Sequence, residues 1–221
     1  MADMLINYFS YPAQDKKLSL PKPGEIDVWQ VQAEKEAWTG KSRRSRKVLK
    51  GLLNRYLGLK ESAIKIEEGP HGKPYLASPL DPCLSFNLSH SGPYLMLAFS
   101  THQDIGIDLE SLDHAADEDA IAKRFFHPEE TKALATLTGE EKAKAFFRIW
   151  TMKEAFLKGL GCGLTWPTTA FTFVPLPDGS FSVLEKESQT KTVKNLPEDL
   201  SSWRLIPVTA PKGYLGSLAF K

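Results

Sequence analysis

The chain is poor in cysteine, and it lacks both a long apolar run and an excess of charge of either sign. Its two cysteines, Cys83 and Cys162, are too few for a disulfide framework and show no metal-ligand spacing. A buried thiol is the expected role for each. No stretch approaches the roughly 20 consecutive apolar residues of a membrane-spanning helix. Met1 to Ser10 carries Asp3 and no basic-then-apolar leader, so a reducing, cytoplasmic setting is the default expectation. The formal net charge is +1, which leaves no global field to draw in nucleic acid or a membrane surface. A phosphate-cradling glycine loop is also missing. Gly159-Leu160-Gly161-Cys162-Gly163 closes a helix instead of opening one, so it reads as a flexible C-terminal turn, neither a dinucleotide fingerprint nor a P-loop.

What is present is an ordinary globular composition, 42% hydrophobic and 25% charged over 221 residues, enough for one large domain or two small ones. Residues 1 to 24 read as irregular, broken by Pro12, Pro21, Pro23 and Gly24. A strand is expected over Ile26–Val31. Helical spacing of Leu49, Leu52, Leu53, Tyr56 and Leu57 predicts a helix over 42–57 that stops at Gly58. A short strand, Ile64–Ile66, leads into the turn Gly69 to Pro74. Leu84–Leu88, Tyr94–Phe99 and Asp104–Glu110 then read as a three-stranded meander, with Ser89-His90-Ser91-Gly92 as a tight loop.

An acidic loop, Ser111 to Asp119, opens the second half. A helix is expected over 119–126, and Pro128 favours a fresh helical start. Thr138-Gly139-Glu140-Glu141 has the pattern of a capping box, so a long helix should run from there to about Lys158. Strands follow at Phe171–Val174, Phe181–Leu184, Trp203–Pro207 and Tyr214–Phe220. Tyr94–Phe99 echoes Tyr214–Phe220 with one inserted residue. Each closes a run of long helix then antiparallel strands, which suggests a duplicated α+β unit with a pseudo-twofold relation, divided as 1–103 and 104–221.

Three stretches carry candidate chemistry. In Asp104 to Glu110, Ile105, Ile107 and Leu109 share one face while Asp104, Gly106, Asp108 and Glu110 share the other. Carboxylates about 6.5–7 Å apart along a strand can converge on one cation, directly or through water. Oxygen-only ligation suits magnesium beside a phosphate. Gly106 leaves room for the close approach of a ligand. A half-exposed strand with an acidic outer face is the plainer alternative. In the long helix, Trp150, Glu154 and Lys158 lie on one stripe, and Glu154 is set among large apolar neighbours where a charge needs a partner. An ordinary helix ion pair is the alternative there. Finally, Lys41 to Lys60 holds eight basic residues and no acid, facing either solvent or an anion. Aromatic residues are not interleaved as single-strand nucleic-acid binding requires.

In combination these stretches resemble the Sfp-type 4'-phosphopantetheinyl transferases. The family's G-[IV]-D-x-E strand is matched by Gly106-Ile107-Asp108-Leu109-Glu110. Its W-[ST]-x-K-E-[AS]-x-x-K helix is matched by Trp150 to Lys158. Phe86-Asn87-Leu88-Ser89-His90-Ser91-Gly92, Gly72-Lys73-Pro74 and the basic helix around Arg46 complete the likeness, over about residues 42 to 163.

The resemblance implies two similar α+β halves, each a long helix packed on a small antiparallel sheet, with the site at their junction. It implies transfer of phosphopantetheine from coenzyme A to a serine of an acyl or peptidyl carrier protein. Asp108, Glu110 and Glu154 would hold magnesium, and Lys158 would contact the pyrophosphate. Arg46, Ser89 and His90 would hold the phosphates, with Arg44 and Arg43 as helpers, and Lys73 would line the adenosine site. An acid after Phe125-Phe126 is also expected; Glu129 and Glu130 both qualify and Glu130 is favoured. Glu154, Glu130 or a metal-bound water could take the serine proton. A monomer that binds neither nucleic acid nor membrane is expected. A metal-dependent phosphohydrolase and a non-catalytic basic nucleic-acid-binding module are the competing readings.

Overall fold

The strand Tyr94–Ser100 is apolar on both faces, and the layering of the molecule explains why. Leu95, Leu97 and Phe99 face a helix, while Met96 and Ala98 face a second sheet; all five are buried. A strand covered on both sides loses the usual alternation and becomes a near-continuous hydrophobic run. The structure is a computed structural model and describes residues 4–11, 17–33, 43–77, 84–101, 104–113, 117–185 and 199–221.

The first sheet has the order β1-β2-β6-β5, formed by β1 (Leu5–Tyr11), β2 (Glu25–Gln32), β5 (Ser85–Ser91) and β6 (Tyr94–Ser100). Helix α1 (Arg43–Leu57) covers it, burying Leu49, Leu52, Leu53 and Tyr56 against Trp29, Phe86 and Phe99. A separate hairpin of β3 (Ile66–Glu68) and β4 (Pro74–Leu76) follows the helix. The second sheet has the order β7-β11-β10-β9-β8, formed by β7 (Ile105–Ser111), β8 (Phe171–Pro175), β9 (Phe181–Glu185), β10 (Arg204–Pro207) and β11 (Tyr214–Phe220). Two short helices, α2 (Glu118–Phe125) and α3 (Pro128–Leu134), precede the long α4 (Gly139–Leu160), which lies on this sheet. Ile26, Val28, Met96 and Ala98 of the first sheet meet Ile105, Ile107, Leu109 and Leu218 of the second. The layers therefore run helix, sheet, sheet, helix.

The fold is α+β and internally repeated. The order β2-β6-β5 in the first sheet repeats as β7-β11-β10 in the second, with every neighbouring pair antiparallel. Helix α1 follows β2 as α4 follows β7. The pairs Gln32↔Tyr94 and Ser111↔Tyr214 mark matching ends, so Trp29, opposite Leu97, takes the place held by Asp108, opposite Ser217. Tyr94 and Tyr214 touch each other edge to face, with ring centroids 5.0 Å apart. The inserted residue expected in the echo is not needed, because Leu95 and Leu215 both turn toward helices without one.

Several local expectations are corrected. Residues 5–11 are a strand, not irregular; β1 pairs in parallel with β2, and Phe9 stacks on Trp29 at 4.6 Å. The expected meander does not form, because β7 crosses to the second sheet and pairs with β11. Ser89, His90 and Ser91 lie inside β5 and only Gly92-Pro93 turns. The short strand after α1 starts at Ile66, because Glu61–Ala63 forms a 3-10 turn first. Thr138 does sit at the N-cap of α4, but its side chain makes no capping bond. The capping box forms at α3 instead, where His127 Nδ1 accepts from the Glu129 amide and Glu130 Oε2 accepts from the His127 amide at 2.8 Å. Gly106 serves the fold: a methyl there would lie 2.0 Å from the Ala155 carbonyl oxygen and 2.3 Å from the Gly159 nitrogen. The helix backbone, and not a ligand, makes the close approach. Cys83 and Lys41 lie outside the described residues.

Candidate active site

Alternation in β5 directs its odd residues toward β7. Phe86 and Leu88 pack under α1, which leaves Asn87, Ser89 and Ser91 on the opposite face. No ladder joins β5 to β7; these side chains bridge the gap. The Ile107 amide donates to Asn87 Oδ1 at 2.9 Å, Ser89 Oγ donates to Asp108 Oδ1 at 2.8 Å, and the Ser111 amide donates to Ser91 Oγ at 3.0 Å. Ser91 Oγ also reaches Glu110 Oε2 at 3.4 Å. Polar side chains thus seal the seam between the halves, and a cavity of about 450 Å³ opens along it.

The first half gives this cavity Ser45, Arg46 and Leu49 from α1, Ile66 and Glu68 from β3, and Leu88, Ser89 and His90 from β5. The second half gives Asp108 and Glu110 from β7 and Trp150, Glu154 and Lys158 from α4. Asp108 is only 2% exposed, so the acidic face of β7 is interior. The helical stripe sets its head groups opposite that strand because Gly106 lets the two backbones touch.

Lys158 is the hub. Its ammonium donates to Asp108 Oδ1 at 2.6 Å and to Ser89 Oγ at 2.9 Å. Burial works against that charge, but Asp108, Glu154 and Glu110 outweigh it and hold the ammonium above its ordinary value. Burial pushes the Glu154 carboxyl up to about 7; Lys158 opposes this and the charges of Asp108 and Glu110 add to it. Glu110 is raised by burial and by Asp108, against Lys158 and hydrogen bonds from Trp150 and Ser91. His90 is lowered by burial and by Lys158.

Two carboxylate oxygens here lack partners. Asp108 Oδ2 and Glu154 Oε1 are buried with no hydrogen bond among the described residues. A buried carboxylate oxygen left unsatisfied is costly, and two in one cavity call for a cation. As they stand, no three His, Cys, Asp or Glu side chains among the described residues are gathered closely enough to enclose an ion, and Lys158 is the positive charge the acids share. The all-oxygen set fits a hard divalent cation that takes one or two carboxylates and fills its remaining positions with water and phosphate.

Residues 104–219 match the 4'-phosphopantetheinyl transferase superfamily, and residues 35–102 match the 4'-phosphopantetheinyl transferase N-terminal family. The chain belongs to the 4'-phosphopantetheinyl transferase superfamily. Among relatives, the 4'-phosphopantetheinyl transferase HetI of Nostoc sp. is 42% identical over 120 residues, 54% of this chain and 51% of that protein. A 4'-phosphopantetheinyl transferase of Bacillus subtilis is 36% identical over 126 residues, 57% of this chain and 54% of that one. The 4'-phosphopantetheinyl transferase Sfp of Bacillus subtilis strain 168 is 35% identical over 136 residues, 62% and 58% of the two chains. The chain therefore spans about half the length of the relatives it matches. Membership in this superfamily gives no support to the phosphohydrolase or the nucleic-acid module.

Within this superfamily member, the expected site residues fall into two groups. Arg46, Ser89, His90, Asp108, Glu110, Glu154 and Lys158 line the one cavity, and Arg46 pairs there with Glu68. Arg44, Lys73 and Glu130 do not line it. Arg44 is exposed on α1. Lys73 donates instead to the carbonyls of Gly159 and Ile105. Glu130 Oε2 is 2.9 Å from the buried Lys153 ammonium, and Glu130 Oε1 accepts from Thr172 Oγ1 at 2.8 Å. Ser45, Glu68 and Ser91 were not foreseen from the sequence. The strand alternation of Asn87, Ser89 and Ser91 was the available signal for the last of them.

Proposed function

We propose that this protein transfers the 4'-phosphopantetheine arm of coenzyme A to a serine of an acyl or peptidyl carrier protein. The observation that carries the reading is the pair of partnerless oxygens on Asp108 and Glu154, set beside Lys158 in a cavity that also holds Ser89, His90 and Arg46. The acids Asp108, Glu110 and Glu154 come from the second half, and the bases come from both halves, with Lys158 beside Asp108. The names of the relatives point the same way.

In this reading the serine oxygen bonds to the phosphorus that bears the pantetheine arm. The bond from that phosphorus to the bridging oxygen breaks, and adenosine 3',5'-bisphosphate leaves with the electron pair. The serine proton passes to a base, and Glu154, which burial raises to about 7 in the metal-free cavity, is the side chain assigned to take it. Lys158, Arg46 and His90 neutralise and orient the phosphates, and Ser89 holds Asp108 and Lys158 in register. Magnesium held by Asp108, Glu110 and Glu154 would neutralise charge on the pyrophosphate. The first half, 1–103, supplies phosphate contacts and the second, 104–221, supplies the ion site. Action as a cytoplasmic monomer is part of the same proposal. No helix among the described residues is long and apolar enough to cross a membrane.

The test is mass spectrometry of an apo carrier protein incubated with the enzyme, coenzyme A and magnesium. The expected result is a gain of one phosphopantetheine arm that chelator prevents. Carrier left unmodified across fatty-acid, polyketide and nonribosomal-peptide types would reject the proposal.

A further inference from the structure

The hairpin β3–β4 stands apart from both large sheets, and an isolated two-stranded hairpin has little stability of its own in water. Yet it supplies Ile66, Glu68, Gly72 and Pro74 to the wall of the cavity. Something must hold it in place. One end is held on the first half by packing of Ile66 and Leu76 against the core under α1 and by the Arg46–Glu68 ion pair. The other end is the turn that carries Lys73.

The Lys73 ammonium donates to the Gly159 carbonyl at 2.7 Å and to the Ile105 carbonyl at 3.2 Å. Gly159 belongs to the last turn of α4, where carbonyls lack helical partners and the helix presents its negative end. Ile105 lies on β7, an edge strand of its sheet, so its outer side meets no ladder. One cation thus satisfies an open helix end and an open strand edge at once. Those two elements carry Glu154, Lys158 and Asp108, and they touch beside this point at Gly106 and Gly159.

The glycine run that ends α4 completes the seat. A methyl at Gly161, where φ is +71°, would stand 3.3 Å from Lys73 Cδ, and one at Gly163 would stand 3.5 Å from His71 Cβ. Gly161 and Gly163 therefore face the turn His71–Lys73 across a small cavity of about 190 Å³.

We infer that Lys73 is a positioning residue: it pins the β3–β4 hairpin of the first half onto the β7–α4 junction of the second, and so sets the width of the cavity. Its nitrogen bonds backbone carbonyls of the second half, and its turn also borders that smaller cavity with Lys158, Gly161 and Gly163. The consequence for turnover rests on the transferase reading proposed above; the consequence for the hairpin does not.

The experiment pairs hydrogen–deuterium exchange with kinetics on Lys73→Met, which keeps the aliphatic stem and removes the donors. Exchange at the hairpin amides of Gly69, Gly72 and Ala77, each hydrogen-bonded within this segment, should accelerate roughly tenfold, as loss of a charged hydrogen bond implies. The KM for coenzyme A should rise by a similar factor, and kcat should change less. Wild-type exchange at the hairpin overturns the pin, and so does a fall in kcat with KM and exchange unaltered, which would place the ammonium at the reacting atoms. If Lys73→Met does not fold, Lys73→Gln, whose shorter neutral amide cannot bridge both carbonyls, should give the same faster exchange; wild-type exchange in that variant overturns the pin. A wild-type protein that modifies no carrier rejects the transferase reading alone, since the exchange measurement needs no turnover.

Discussion

Ser89 and Asp108 come from different halves of the chain, and their side chains meet at 2.8 Å. The same hydroxyl accepts from Lys158 at 2.9 Å, so one serine couples a strand of the first half to a strand and a helix of the second. Ser89→Ala should destabilise the protein by about 1–3 kcal/mol, the usual cost of leaving buried partners unsatisfied. Urea unfolding would measure it, and a change within ~0.5 kcal/mol would contradict the coupling.

Glu154→Gln separates stability from function. The native residue has a buried oxygen without a partner, so removing its charge should leave the cation-free protein as stable or more so. Transfer should fall on the order of 100-fold or more, since several kcal/mol of charge stabilisation go with the ligand. A stable variant with wild-type turnover would remove Glu154 from the site.

The same residue makes stability depend on pH. Burial raises its pKa to about 7 in the fold, from 4.5 for the free side chain. The folded protein then binds more protons than the unfolded chain between these values, so stability falls as pH rises through that window. The contribution is complete below about 4.5 and gone above about 7. Glu110, raised in the same direction, adds to the slope. Thermal unfolding of the metal-free protein should show the decline, and Glu154→Gln should flatten it. An equal slope in both proteins would assign the effect elsewhere.

Gly106→Ala should damage the fold more than most glycine substitutions. The added methyl would stand 2.0 Å from a helix carbonyl oxygen, and backbone cannot swing aside as a side chain can. Overpacking costs about 1–3 kcal/mol and occasionally more, and the upper end is expected here. Wild-type stability by chemical denaturation would show that α4 can lift off β7 freely.

Glu130 now has a structural task. Its carboxylate faces Lys153, whose ammonium is 1% exposed and also donates to the carbonyls of Thr168 and Phe171 at 2.8 and 3.0 Å. Glu130→Gln breaks a buried pair and should cost about 3–5 kcal/mol. Activity per folded molecule, measured below the unfolding transition, should stay within a few-fold of wild type. Loss of turnover at undiminished stability would return Glu130 to the chemistry.

The elements with strong periodicity were readable in advance. Helix α1, the long α4 and the strands after it lie where apolar spacing places them. The crossover of β7 could not be read, for a reason of distance. Whether β7 pairs with β6 or with β11 depends on which sheet offers a complementary surface, β11 lying 103–115 residues away, and local pattern contains nothing of that distance. The N-terminal strand is masked in sequence by the prolines that follow it, although Ile6, Tyr8, Phe9 and Tyr11 favour an extended chain. In the site, Asp108, Glu110, Glu154 and Lys158 could be named because each lies on a regular element whose period fixes its direction. Lys73 and Glu130 could not be placed by that means. One lies in a turn and the other caps a short helix, and their partners are backbone carbonyls and a buried lysine that leave no mark in sequence.

Trp29 stands in the first half where Asp108 stands in the second, buried and hydrogen-bonded through its indole to Tyr56 at 2.8 Å. The repeat is thus asymmetric at this position, with an acid in one copy and a core residue in the other. Replacing Trp29 with aspartate would not restore a second centre, because the vacated volume is sealed beneath α1. The halves are no longer interchangeable modules. Two first halves would have Arg46 and Ser89 without Asp108, Glu110 and Glu154, and two second halves those acids without Arg46, Ser89 and His90. Only the unlike pair assembles the complete cavity, which is what a single covalent chain guarantees.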